Sequence, residues 1–219
     1  MPSVTLRSSV LRVGEFLALF VILPIFLVLH KPHIPPIPLL WTVAAYSLTM
    51  LYRDPTYDRS ELWNPRPLRA QLVPILLFFA LGAVLIGGLV YEFAPGLLFE
   101  FVRTHPLVWA AVMLLYPVLS VYPQGIIYRA FVLHRYRGFF VESQQQKWAL
   151  IFLSALAFAC MHLLFRNWVA VALTFAGGIL FARRHLEARS LFVSSVEHAL
   201  YGCFIFTIGL GQFFYARLV

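Results

Sequence analysis

Long apolar runs, separated by short polar or proline-containing segments, fill the chain from end to end. A transmembrane helix needs roughly 20 mostly apolar residues, because each residue advances a helix by about 1.5 Å across a core about 30 Å thick. By this rule the pattern predicts seven membrane-spanning helices, at 14–30, 36–52, 71–92, 106–128, 148–165, 167–182 and 190–215. The predicted fold class is therefore all-α, a polytopic transmembrane helix bundle of about seven helices.

Composition supports a membrane protein and argues against a second domain. Of the 219 residues, 61% are hydrophobic and 12% are charged, whereas soluble domains carry about 25% charged residues. No shift in composition divides the chain, so we predict a single membrane domain, 1–219. The net charge of +8 is not accompanied by a nucleic-acid-binding motif or a long basic run, and we expect no nucleic-acid partner.

The basic residues are distributed unevenly between the two sets of predicted loops. One set holds 13 of the 17 Lys and Arg, and the opposite set holds only Lys31, Arg103, Arg166 and Arg217. Because cytoplasmic loops are enriched in Lys and Arg, the pattern predicts a cytoplasmic N-terminus and a C-terminus outside. We expect an integral protein of a bacterial inner (plasma) membrane.

Polar side chains interrupt three of the late spans. Gln124 and Arg129 belong to the fourth span, His162 to the fifth, and Glu197 and His198 to the seventh. A charged group at mid-bilayer costs about 2.5–3.5 kcal/mol on insertion scales, so such residues face the bundle interior and find partners. These five positions are therefore the candidate functional residues.

The depths of three of these residues indicate a common site. At about 1.5 Å per helical residue, Gln124 lies roughly 16 Å from Arg135, His162 roughly 21 Å from Trp148 and His198 roughly 13 Å from Arg189, and all three starting points are on the predicted cytoplasmic side. Three unconnected helices thus bring polar groups to the same middle zone of the membrane. We predict that Gln124, Arg129, His162, Glu197 and His198 line one polar pocket.

Three short motifs in these spans resemble those of the CAAX protease and bacteriocin-processing (CPBP/Abi) family of intramembrane endopeptidases. The family carries Glu-Glu-x-x-x-Arg, Phe-x-x-x-His and His-x-x-x-Asn or Asp, each on its own late membrane helix. This chain has Gln124-Gly125-x-x-x-Arg129, Phe158-x-x-x-His162 and His198-x-x-x-Gly202 in the same order. The resemblance implies that 106–215 carries the catalytic-core helices.

The resemblance also implies roles for these residues. In the family the first glutamate is proposed to activate the attacking water, while the two histidines and the asparagine position it or hold the oxyanion. His162 and His198 keep these positions here, and Tyr128, Phe158 and Gly202 are expected to contact the substrate. Gln124 replaces the glutamate, and an amide cannot accept a proton at neutral pH.

Glu197 is the one carboxylate placed well inside the late spans, and two roles are open for it. It could serve as the displaced general base, or as the counter-ion of Arg129 now that the motif glutamates are absent. Neighbouring positions on a helix lie about 100° apart, so Glu197 and His198 can border the same cavity.

Three functions remain open from the sequence. The first is an intramembrane endopeptidase that cleaves membrane-embedded or lipid-modified protein substrates with an atypical active site. The second is a non-catalytic relative that binds a peptide or membrane partner as a chaperone, adaptor or immunity factor. The third is a small-solute transporter, although no broken helices occur in two matching halves.

No cofactor is expected. Two histidines on different helices fall short of the three protein ligands usual in catalytic zinc sites, and no His-Glu-x-x-His occurs. Zinc is therefore possible but weakly supported.

Overall fold

The computed structural model describes residues 6–30, 34–140 and 143–214, with side chains described from residue 9 onward. The described residues are mostly helical and contain no β-strand, which confirms the predicted all-α class. Lys31 and Arg217, which the charge analysis assigned to the outer side, fall outside the described residues.

Within the described ranges, a helix lies at the position of each of the seven predicted spans. We label them α1 (Leu6–Leu17, Ala18–Ile22 and Leu23–His30), α2 (Pro36–Arg53), α3 (Leu68–Phe93), α4 (Pro106–Tyr116, Pro117–Val121, Tyr122–Gly125, Ile126–Phe131 and Val132–Arg135), α5 (Gln144–His162), α6 (Trp168–Ala188) and α7 (Leu191–Thr207). Among the described residues, five of these (α1, α3, α4, α5 and α6) are long and apolar enough to cross a membrane, and α7 is a shorter apolar helix.

Local sequence explains where the late helices begin. Each of α5, α6 and α7 starts at a residue whose side-chain oxygen accepts a hydrogen bond from a backbone amide of the first turn, namely Ser143, Asn167 and Ser190. Such N-caps satisfy amides that have no partner within the helix. The starts of these three helices, two of which carry motifs, are therefore fixed by the capping residue just before each of them.

Helix α4 is continuous but contains two π-helical segments. Pro117 begins the first, Pro117–Val121, and Ile126–Phe131 forms the second. Proline has no amide to donate and crowds the preceding turn, and single π turns inside α-helices occur frequently at functional sites. The second segment contains Arg129 and is buried throughout.

Helices α5 and α6 pack with their backbones in close contact. A Cβ added at Gly178 would lie 2.8 Å from the Cα of Ala155, so the two backbones approach as closely as glycine and alanine permit. Small residues at such crossings are typical of helix packing in lipid. This contact places the second motif, on α5, against the helix that precedes the third motif.

The segment between α2 and α3 binds residues at the ends of three other helices. Asp54 contacts His134 at 3.0 Å, the Asn64 carbonyl accepts a 2.6 Å hydrogen bond from Ser190, and Glu61 pairs with Arg189 at 2.9 Å. The loops that the charge pattern assigned to one side therefore meet at one end of the bundle.

Candidate active site

A cavity of about 660 Å³ lies among the late helices and is lined by side chains from α2 to α7. Most of the lining is apolar, and none of its described residues is Asp, Glu, Lys or Arg. The polar lining includes Gln124 from the first motif, His162 from the second and His198 from the third. The structure thus brings one polar residue from each motif to the same cavity.

Gln124 is held by a neighbour one helical turn earlier. Its side-chain nitrogen donates to the hydroxyl oxygen of Ser120 at 2.8 Å, and Ser120 also lines the cavity. Because the amide nitrogen makes this bond, the amide oxygen remains as the acceptor that can face a water molecule. Gln124 can orient water but cannot take its proton.

His162 is the last residue of α5, and its ring orientation is set by the helix backbone. The ring Nδ1 lies 2.7 Å from the carbonyl oxygen of Phe158, one turn earlier. A carbonyl only accepts, so Nδ1 carries the proton and Nε2 of the neutral imidazole has its lone pair free. His162 is therefore arranged to accept a proton through Nε2.

His198 is enclosed by aromatic rings. Its imidazole stacks on Phe181 with centroids 4.5 Å apart and lies edge-on to Phe158 at 5.6 Å. Its Nε2 lies 3.5 Å from the hydroxyl of Tyr116. The same Phe158 ring also contacts His162 at 4.6 Å, so this phenylalanine of the second motif packs against both histidines.

Arg129 lies behind the cavity wall and is 1% exposed. Its guanidinium carbon sits 4.3 Å above the Phe158 ring and 5.2 Å from the Phe181 ring. One nitrogen is 3.4 Å from the Gln124 carbonyl oxygen, and Nη2 has no hydrogen-bond partner among the described residues. Aromatic faces attract a desolvated cation by about 2 kcal/mol or more. Arg129 is thus stabilised by rings and not by a carboxylate.

Glu197 does not pair with Arg129, and the prediction that it is the counter-ion of Arg129 is wrong. Both carboxylate oxygens of Glu197 accept from Arg184, at 2.8 and 3.1 Å, and the Gln71 side chain also accepts from Arg184. Glu197 is 0% and Arg184 4% exposed at the side chain. The pair is a buried two-pronged ion pair between α6 and α7.

The physical reason lies in the length of α6. The predicted span 167–182 ends before Arg184, whereas α6 continues to Ala188 and carries Arg184 and His185 into the bundle. A span of 16 residues is shorter than the roughly 20 that a membrane requires. A sixth span of about 20 residues, beginning at 167, would have included Arg184 and so offered a partner for Glu197.

The predicted pocket of five residues is correct for three of them and wrong for two. Gln124, His162 and His198 line the cavity, whereas Arg129 and Glu197 do not. Glu197 therefore has no position from which to act as a general base in this cavity.

Of the three residues expected to contact the substrate, two lie at the cavity. Phe158 and Gly202 line the cavity, and Tyr128 does not. Tyr128 is buried against Phe20 and Phe158, and its carbonyl accepts a 2.6 Å hydrogen bond from Ser154. Its position joins α4 to α1 and α5 and gives no support to a substrate contact.

Two aromatic residues of the site were not found from the sequence. Tyr116 contacts His198, and Phe181 stacks on it. Neither belongs to a motif, and aromatic residues are frequent in this chain, so no local signal separates them from ordinary core residues. Within the described part of the chain, no group of three or more His, Cys, Asp or Glu side chains could hold a metal ion.

The fold and the cavity define a class, an all-helical integral membrane protein with a mostly apolar cavity between its helices and two histidines at the cavity wall. Residues 105–204 match the family model described as type II CAAX prenyl endopeptidase Rce1-like. The resemblance predicted from the three motifs is thereby confirmed, and this region is similar to the CAAX-protease-like intramembrane endopeptidases. Comparison with curated proteins and with solved structures found no match.

Proposed function

We propose that the protein is an intramembrane endopeptidase of atypical design, which cleaves membrane-embedded or lipid-modified protein substrates with His162 as the general base. The observation that carries this proposal is the meeting of Gln124, His162 and His198 from three separate motifs at one largely apolar cavity. A mostly apolar cavity with a few convergent polar groups is typical of a ligand site. It suits a lipid chain or an apolar peptide segment whose scissile bond reaches the polar wall.

The proposed chemistry follows from the hydrogen bonds. A water held by the amide oxygen of Gln124 gives a proton to Nε2 of His162 while its oxygen attacks the scissile carbonyl carbon. The resulting oxyanion lies near His198, and the uncompensated charge of Arg129 behind Phe158 and Phe181 favours negative charge at that point. When the C–N bond breaks, the proton on His162 passes to the leaving amine, so the base is regenerated.

This proposal is tested with a prenylated CAAX peptide, the substrate named by the matching family. The purified protein in lipid nanodiscs should cleave it, and His162→Ala should reduce the rate by at least about 100-fold, since general base catalysis contributes roughly 10²–10⁴-fold. Trp168→Ala, an exposed side chain outside the cavity, is the control and should leave the rate unchanged. Equal cleavage by wild type and His162→Ala would refute the role of His162.

A second candidate function is favoured by the absence of carboxylates from the described cavity wall. Without a strong base the same cavity can bind an apolar or lipid-modified segment and release it intact, as a chaperone, adaptor or immunity factor would. Gln124→Glu separates the two functions because it restores the family's carboxylate with little change in shape. Peptide that binds wild type without cleavage, and is cleaved only by Gln124→Glu, would establish the non-catalytic function.

A further inference from the structure

The third motif lacks its last side chain, and another residue occupies the space. Gly202 stands where the resembled family has Asn or Asp, one helical turn beyond His198, and it is buried in α7. A Cβ built at Gly202 would lie 2.7 Å from Cζ of Tyr116 and closer still to Cε1 and the hydroxyl oxygen of that ring. Any side chain at 202 would therefore overlap Tyr116.

Tyr116 reaches this space from a different helix. It is the last residue of the first segment of α4, immediately before Pro117 and the π-helical turn. Its ring lies edge-on to Phe206 at 5.3 Å and to His198 at 6.3 Å, and its hydroxyl is 3.5 Å from Nε2 of His198. The hydroxyl is thus placed beside the histidine that the third-motif side chain would accompany.

We propose that Tyr116 replaces the missing third-motif side chain and is the positioning residue of His198. Its ring fills the volume above Gly202, and its hydroxyl donates to Nε2 of His198, which fixes the ring orientation and leaves the imidazole proton on Nδ1. A phenol hydroxyl can donate one hydrogen bond, as a side-chain amide can. The chain has therefore exchanged a polar residue on α7 for a larger one on α4. The catalytic consequence rests on the proposed function, whereas the contact itself does not.

The exchange of volume is tested by a double-mutant cycle of thermal stability. Gly202→Asn alone should lower the melting temperature strongly because the new side chain meets the Tyr116 ring. Tyr116→Ala alone should lower it by opening a cavity. The combination Tyr116→Ala with Gly202→Asn should melt above Gly202→Asn alone. As the control, Gly88→Asn, where nothing lies within 4 Å of an added Cβ, should combine additively with Tyr116→Ala. Additivity in both cycles would overturn the replacement.

The hydrogen bond is tested with Tyr116→Phe, which removes one oxygen atom. In protein labelled with ¹⁵N-histidine, the Nε2 signal of His198, assigned through His198→Gln, should shift towards that of a nitrogen without a donor. The signals of His162 should not change. An unchanged His198 signal would overturn the proposed contact, whether or not the protein cleaves any peptide.

The positioning role is tested in the cleavage assay. If wild type cleaves the prenylated peptide, Tyr116→Phe should lower kcat by at least about tenfold with little change in KM, because the variant keeps the ring and loses only the orientation of His198. An unchanged kcat would overturn the positioning role while leaving the proposed endopeptidase function intact. Absence of cleavage by wild type would refute the endopeptidase function, and the NMR and stability results would still decide whether Tyr116 replaces the missing side chain.

Discussion

At the scale of single residues, two buried arginines of the late helices are stabilised in different ways. Arg184 has a carboxylate, Glu197, which accepts two hydrogen bonds from it. Arg129 has two aromatic rings and one backbone carbonyl. The carboxylate that the sequence offers to Arg129 is therefore already used, and each arginine depends on its own surroundings.

Glu197→Gln should destabilise the protein by about 3–5 kcal/mol, because it removes the fully buried carboxylate that accepts two hydrogen bonds from Arg184. The remaining carboxylate, Glu187, lies 3.6 Å from Arg184 and is one-third exposed, so it compensates the buried charge only in part. Chemical or thermal unfolding in detergent measures this loss. Glu92→Gln, which removes an exposed carboxylate from α3, is the control and should change stability little. Cleavage per folded molecule should remain, since Glu197 does not line the cavity.

A second variant checks the cause of that loss. Arg184→Gln combined with Glu197→Gln removes both charges, so the double variant should be more stable than Glu197→Gln alone. If the double variant is no more stable, the loss arises from packing and not from the unpaired charge.

The site residues show which signals a sequence carries at this scale. Gln124, His162 and His198 could be predicted because a polar group in an apolar span is expensive and must face the interior. The pairing of Glu197 could not be predicted with α6 ended at 182, since Arg184 was then assigned to a loop. Tyr116 could not be predicted because its role depends on the space left by Gly202, 86 positions later, and no periodicity joins the two.

At the scale of helices, the sequence predicted the positions of the helices and the all-α fold class but not the residues at which the helices end. The apolar runs located each of the seven helices, and the observed helices reach beyond several predicted ends, most clearly at α4 and α6. Helices α4 and α6 continue past their apolar runs, where neighbouring helices bury Arg129 and Arg184. Hydropathy reports how a residue partitions between water and lipid, and it contains no information about the neighbouring helix that buries a polar side chain.

The contact between α5 and α6 should be intolerant of a single added methyl group. Gly178→Ala brings a Cβ to 2.8 Å from the Ala155 backbone, and overpacking of this kind costs about 1–3 kcal/mol. Gly88→Ala is the matched control, because an added Cβ there meets nothing within 4 Å and alanine is the better helix former by about 1 kcal/mol. Thermal unfolding should show a lower melting temperature for Gly178→Ala only. If Gly178→Ala melted at the same temperature as wild type, α5 and α6 would be able to move apart at little cost, and the proposed close contact would be refuted.

At the scale of the whole molecule, the charged loops meet at one end of the bundle. The 54–67 segment contacts α4 through His134 and the start of α7 through Ser190. The positive-inside rule predicts that this end is cytoplasmic. The structure places the loops together, and the side of the membrane on which they lie remains a prediction.

Single cysteines introduced at Trp63, Phe139 and Arg189 test that orientation, because all three side chains are exposed. In intact cells they should resist a membrane-impermeant thiol reagent and should react after the membrane is opened, in a background where Cys160 and Cys203 are replaced by alanine. Reaction of any of the three in intact cells would reverse the predicted orientation. A cysteine at Phe99, which lies between α3 and α4 and is also exposed, should react without permeabilisation.

The rings around Arg129 have a consequence for the order of biosynthesis. The ribosome completes α4 before it makes Phe158 of α5 and Phe181 of α6. In the nascent helix the Arg129 guanidinium therefore lies within the membrane without the two aromatic rings that cover it in the finished protein. A long basic side chain in that position extends towards the lipid headgroups, and a chain truncated at residue 143 should therefore hold α4 nearer the cytoplasm than the full chain does. A cysteine at Phe139 should label faster in the truncated chain, and Arg129→Leu should abolish the difference. The final depth of α4 is then set after α6 is made, when the two rings close over the guanidinium.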